Sequence, residues 1–264
     1  MPSRRDVAVS TRFNNFKRRS QVEKETLRLV KLCTAWCGPL FVVGYIVFWA
    51  ILGHNVPPPN FVGMTPEQMV SEYYGKYQSD ISSGMIGCCV VGLLYLPWSC
   101  LLASMLRDDD GSLSLFSFLE LSGGAITAYV LAVCPAIWAA CAIYANAVDP
   151  VLIKYTHSLT WYIYDCTFMI TTVQTTGLGL YIILNKKQKI FPAWTGWATI
   201  AVGMTFLPLV LIPFVSEGPF AVGGSWNFYI VFGTWLFAFF APISYFMMKS
   251  LMKTEDSVKL AAAH

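Results

Sequence analysis

Six apolar stretches, each long enough to cross a bilayer as a helix, recur along this chain at about 33–53, 83–106, 118–144, 157–184, 194–215 and 225–250. About 20 residues rising 1.5 Å each cover the roughly 30 Å of hydrocarbon in a membrane. In lipid every backbone amide and carbonyl must be paired within the protein, so a spanning segment is a helix or a barrel strand, and stretches of this length select helices. The expected fold is therefore all-α: a polytopic membrane protein with six transmembrane helices. Charge agrees with this, because 12% of the residues are charged, against about 25% in an ordinary soluble domain. Spans of this number also leave no room in 264 residues for a separate soluble domain of about 100 residues.

The positions of the basic residues orient the bundle. With both termini in the cytoplasm, that side collects nine basic residues between Arg4 and Lys31, then Arg107, Lys186, Lys187, Lys189, Lys249, Lys253 and Lys259, while only Lys76 and Lys154 lie outside. Sixteen against two satisfies the positive-inside rule, and an odd number of spans would split the basic loops between the two sides. Three segments follow. Residues 1–31 form a basic cytoplasmic segment, 32–252 the six-helix transmembrane domain, and 253–264 a cytoplasmic tail whose ending, KLAAAH, has the look of a cloning remnant. The basic segment directly precedes a span, where anionic lipid is the natural partner, so membrane lipid is expected there and nucleic acid is not.

One sizeable loop, 54–82, opens with Pro57, Pro58 and Pro59, which end the first helix. Thr65, Pro66 and Glu67 then read as an N-cap, a proline at the first helical position and an acid in the first turn. A short outer helix from Pro66 to about Tyr77 is predicted. Met69, Val70, Tyr73, Tyr74 and Tyr77 take one face, and Glu67, Gln68, Glu72 and Lys76 the other. Such a helix lies along the outer interface or closes over the mouth of the bundle.

Chemistry-bearing patterns are few. All eight cysteines fall inside predicted spans, with no C-x-x-C pair, and read as small packing residues; Gly84, Cys88 and Gly92 form a stripe that admits a neighbouring helix. His54, His157 and Glu217 fall at the outer surface without metal-ligand spacing, and the run Asp108 to Asp110 beside Arg107 reads as solvated charge. No phosphate loop, dinucleotide fingerprint or nucleophile elbow is present, so no cofactor and no metal are expected.

Asp165 is the exception, being the one acid well inside a span, with Glu120 nearer a cytoplasmic end. Helical spacing sets Ser158, Tyr162, Asp165, Thr172 and Thr176 along one stripe of the fourth span, with Met169 between them. Trp138 is among the deeper aromatics that can wall an apolar pocket. An intramembrane acid costs roughly 2.5–3.5 kcal/mol on insertion scales and so faces other helices or a cavity. The stripe with Trp138 is the candidate ligand site.

The order of WCGPLF, the proline run with TPEQMVSEYY, FPAWTGW, FLP and EGPFAVGG over about residues 32–245 resembles a family of six-span bacterial integral membrane proteins of unassigned function. That resemblance implies the fold and a bacterial cytoplasmic membrane, and no residue role. The function expected is an integral membrane protein that binds, moves or helps process a hydrophobic small molecule, as a carrier or membrane subunit, with another membrane protein or a second copy as partner. The alternative is a membrane-embedded isomerase or cyclase acting on a lipid-like substrate, with Asp165 as acid and Tyr162 or Tyr164 assisting.

Overall fold

The computed structural model describes residues 4–262, with side chains described over 22–253 apart from Phe168. Expectations for the basic side chains before residue 22 and for the KLAAAH ending therefore lie outside what is described. Six helical segments long and apolar enough to span a membrane are present: Val22–Leu52, Gln78–Met105, Leu115–Tyr144, Pro150–Leu184, Ala193–Phe214 and Ser225–Lys253. No strand occurs among the described residues; an isolated bridge between Arg107 and Leu113 closes the turn after the second span. An even number of spans returns the chain to the face it started from. That face is called the terminal face below, and the one carrying the 53–77 loop the lid face.

Few of the spans are single α-helices. The first is α1 (Arg4–Tyr45) running into a π-helical segment, Ile46–Leu52. Beyond α2 (Pro66–Gln68) in the lid-face loop, the second span divides into α3 (Gln78–Gly92) and α4 (Tyr95–Met105). The third is one helix, α5 (Leu115–Tyr144), and the fourth divides into α6 (Pro150–Cys166) and α7 (Phe168–Leu184). The fifth is α8 (Ala193–Thr205) followed by a 3₁₀ segment, Leu207–Phe214. The sixth begins as two π-helical segments, Ser225–Phe232 and Trp235–Phe240, before α9 (Ala241–Ala262).

The local chemistry of these breaks differs. Pro97 and Pro208 lack a backbone donor and clash with the carbonyl a turn earlier, so α3 and α8 end shortly before them. The fourth span has no proline at its break. There Thr167 turns its own hydroxyl back onto the carbonyl oxygens of Ile163 (2.8 Å) and Tyr164 (3.3 Å), satisfying groups that a continuous helix would pair.

Each span packs against the next in the chain, and the first closes against the sixth. The small-residue stripe of α3 serves this packing: a Cβ on Gly92 would sit 2.6 Å from the Leu131 carbonyl oxygen of the third span. Trp98 Nε1 donates to Ser244 Oγ at 2.9 Å, tying the second span to the sixth. Trp49, Trp98 and Trp161 are buried inside the ring, whereas Tyr144 and Trp194 are exposed on its outside. The rings of Phe41, Tyr45, Trp49, Tyr95 and Trp235 pack against one another and their aromatic neighbours, so the interior of the bundle is filled with aromatic side chains.

The short outer helix begins as expected, with a reciprocal capping box in which Thr65 Oγ1 accepts from Gln68 N (3.2 Å) and Gln68 Oε1 accepts from Thr65 N (2.8 Å). It continues in π-helical form through Met69–Tyr74. Met69, Tyr73 and Tyr74 are buried, while Glu67, Gln68, Glu72 and Lys76 are exposed. The loop is stitched across the lid face. Tyr73 Oη donates to the Gly53 carbonyl (2.8 Å), Gln78 Nε2 to Ala142 (2.8 Å) and Asn60 Nδ2 to Ser216 (2.8 Å), while Lys154 Nζ donates to Met64. The helix thus caps the bundle.

Candidate functional site

The break in the fourth span sets the site. Asp165 lies two residues before Thr167, near the middle of the Pro150–Leu184 span, and is 2% exposed. Asp165 is among the residues lining a cleft between the third, fourth, fifth and sixth spans, bounded by Thr127, Leu131, Tyr164, Thr171, Phe206, Leu209, Phe232 and Trp235. The cleft is partly open, with about 480 Å³ of space free of atoms, of which about 50 Å³ admits the centre of a water-sized sphere. One water needs roughly 10–15 Å³ on that second measure, so the cleft takes a small group or a narrow chain rather than a whole phospholipid. Asp165 Oδ2 is buried without a hydrogen-bond partner. The hydroxyls around it are engaged elsewhere: Thr127 with Thr171 at 3.1 Å, and Tyr164 with Tyr45 at 2.8 Å.

Toward the lid face, His157 is 1% exposed beneath the capping helix, which corrects its expected place at the membrane surface. Its Nδ1 lies 2.6 Å from the Tyr74 hydroxyl, and Nε2 has no partner. Phe61, Tyr73, Trp138 and Trp161 surround the imidazole at centroid distances of 5.3–6.3 Å. Burial raises the pKa of Tyr73 and of Tyr74 well above the ordinary tyrosine range, so both hydroxyls stay neutral. His54 remains near the surface, stacked on Tyr77 and 3.2 Å from Asp80. Among the described residues no group of three or more His, Cys, Asp or Glu is placed to hold a metal.

Toward the terminal face, Glu120 is fully buried. Its Oε1 accepts from Gln174 Nε2 (2.7 Å) and Ser99 Oγ (2.8 Å), and Tyr95 Oη donates to Gln174 Oε1 (2.9 Å). Gly124 makes this approach possible, since a Cβ there would collide with the Ser99 side chain. The network joins the second, third and fourth spans, and Glu120 Oε2 is left without a partner.

The stripe expected along the fourth span does not converge on one space. Asp165 alone of it lines the cleft. Ser158 bonds back to the Lys154 carbonyl (2.8 Å), and Tyr162 is half-buried against the Phe61 ring (5.9 Å). Met169 is 49% exposed on the outer surface of the bundle, Thr172 donates to Gly203 of the fifth span (3.2 Å), and Thr176 Oγ1 is buried without a partner. Trp138 stands between the cleft and the lid, 5.3 Å from the Tyr164 ring. The reason is the break at Thr167, which interrupts the 3.6-residue register linking Asp165 to Thr172 and Thr176. Thr127, Thr171 and Tyr164 come to the cleft instead. Thr171 carries no distinctive signal in sequence, because threonines recur throughout the fourth span, and Thr127 is a lone threonine in an apolar stretch of the third.

Comparison of the chain with protein-family models, with curated proteins and with solved structures finds no match. What the fold and the site define is an all-α, multi-pass membrane protein with a buried carboxyl facing a small cleft at a helix break.

Proposed function

We propose that this protein binds a hydrophobic small molecule in the cleft at Asp165, acting as a carrier or as the membrane subunit of a system that processes it. The observation that carries the reading is Asp165 Oδ2, buried without a partner on the wall of a mostly apolar cleft. Ligand sites in membrane bundles combine apolar walls with a few convergent polar groups at discontinuous helices near the midplane, and this cleft has that form. The cap over the lid face supports the same reading, because it closes the bundle above the cleft to water. The basic-residue count orients the terminal face to the cytoplasm, and the family resemblance suggests a bacterial cytoplasmic membrane.

The enzyme alternative needs a second group to take or deliver a proton beside Asp165. Tyr164 lines the cleft but is engaged with Tyr45, and Tyr162 faces Phe61, so binding is the better supported of the two. Photolabelling in lipid nanodiscs with an alkyl-diazirine alcohol tests it. Label is expected on the cleft residues Ile170 and Leu209, and Leu209→Trp, which fills the cleft, is expected to abolish that label while leaving label on the exposed Met169. Label confined to the exposed surface in the unaltered protein would overturn the proposal.

A further inference from the structure

We infer that the cleft is selective for a lipophilic cation, an amine or quaternary ammonium, whose positive centre sits against Asp165 and whose apolar part lies along the aromatic wall. This rests on the reading of the cleft as a ligand site and adds the class of ligand.

Two independent observations carry it. First, among the described residues Asp165 has no basic side chain beside it as a counter-charge. None of the residues lining the cleft is Lys, Arg or His, and the ion pairs His54–Asp80 and Lys187–Asp109 lie at opposite surfaces. Carboxylates inside membranes are ordinarily paired with a basic side chain, and an unpaired one is costly in a medium of low dielectric constant. A ligand that brings its own positive charge supplies what this carboxyl lacks. The titratable groups that interact electrostatically with Asp165 are Tyr164 and Cys166 of its own helix and Cys134 of the third span, none of which can carry positive charge.

Second, the wall beside the carboxyl is aromatic. Tyr164, Phe206, Phe232 and Trp235 all line the cleft, with Phe232 6.3 Å from Tyr164 and 6.4 Å from Trp235 between centroids. Ring faces attract cations, by about 0.5–1 kcal/mol when exposed and about 2 kcal/mol or more when water is excluded. A neutral hydrocarbon gains nothing from that term, and it gains nothing from the carboxylate. The size of the cleft sets a further limit, since its free space suits a small ammonium head and not a phospholipid.

The test uses the full-length protein in phosphatidylcholine nanodiscs. The probes are radiolabelled decyltrimethylammonium and its neutral isostere with carbon in place of nitrogen. Binding is counted as the saturable part above empty nanodiscs. The cation is expected to bind at least about tenfold more tightly than the isostere, which corresponds to about 1.4 kcal/mol. Asp165→Asn is expected to remove that preference without weakening the isostere, and Asp165→Glu to keep it; the isostere reports that each variant is folded. Equal binding of both probes, unaffected by Asp165→Asn, would overturn the cation assignment and leave the cleft reading standing. Saturable binding of neither probe would overturn both.

Discussion

A carboxyl group inside a membrane has to find partners or a use, and the two buried acids of this chain divide along that line. Glu120 is held by Gln174 and Ser99 and reads as a structural joint between three spans. Replacing Glu120 with Gln keeps an acceptor for Ser99 and is expected to be nearly neutral. Glu120→Leu strands the Gln174 amide and should cost about 1–3 kcal/mol, seen as a lower midpoint in thermal or detergent unfolding. Equal stability of the two variants would contradict the joint. Asp165, by contrast, is legible from sequence alone, being the only acid far from the ends of a span. Glu120 is not, because its place five residues into α5 looks like a helix end open to water. His157 is missed for the same reason: nothing in its neighbourhood shows that a loop helix from 83 residues earlier in the chain will cover it.

Helix boundaries show what periodicity can and cannot reach at the scale of elements. All six spans, the Thr65 cap and the two faces of the outer helix are readable, because apolar length, capping chemistry and amphipathic spacing are local properties. The break at Thr167 is not, since no proline or glycine announces it. Removing its hydroxyl in Thr167→Ala takes a donor from the Tyr164 carbonyl and leaves Ile163 with the Thr167 backbone N–H alone, and should destabilise by about 1 kcal/mol. The same local–distant distinction applies to the lid, whose position depends on side chains from three other elements. Tyr74→Phe is expected to speed amide hydrogen exchange across residues 66–74, and an unchanged rate would show that the His157 contact does not hold the helix down. Both buried hydroxyls should also resist alkali. Their pKa values are raised on folding, so the stability they contribute is complete below about pH 10, where free tyrosine titrates, and is lost only as pH climbs above it. A spectrophotometric titration in which Tyr73 and Tyr74 ionise together with the exposed tyrosines would contradict their burial.

For the whole molecule, the account joins a ring of six spans, broken helices around a central cleft and a cap on one face. Its orientation is open to a direct check: in a variant freed of native thiols, Lys187→Cys should resist an impermeant maleimide applied to intact cells, and Glu72→Cys on the cap should react. Reversed labelling would invert the molecule. The central claim is that the Asp165 carboxyl is free, buried and reachable by a lipophilic molecule. Dicyclohexylcarbodiimide enters bilayers and adds to such carboxyl groups, so treatment of the protein in nanodiscs followed by peptide mass mapping tests that claim most directly. An adduct is predicted on Asp165, absent from Glu120 and lost in Asp165→Asn. An unmodified Asp165, under conditions that modify Glu120 or exposed carboxylates, would contradict the account.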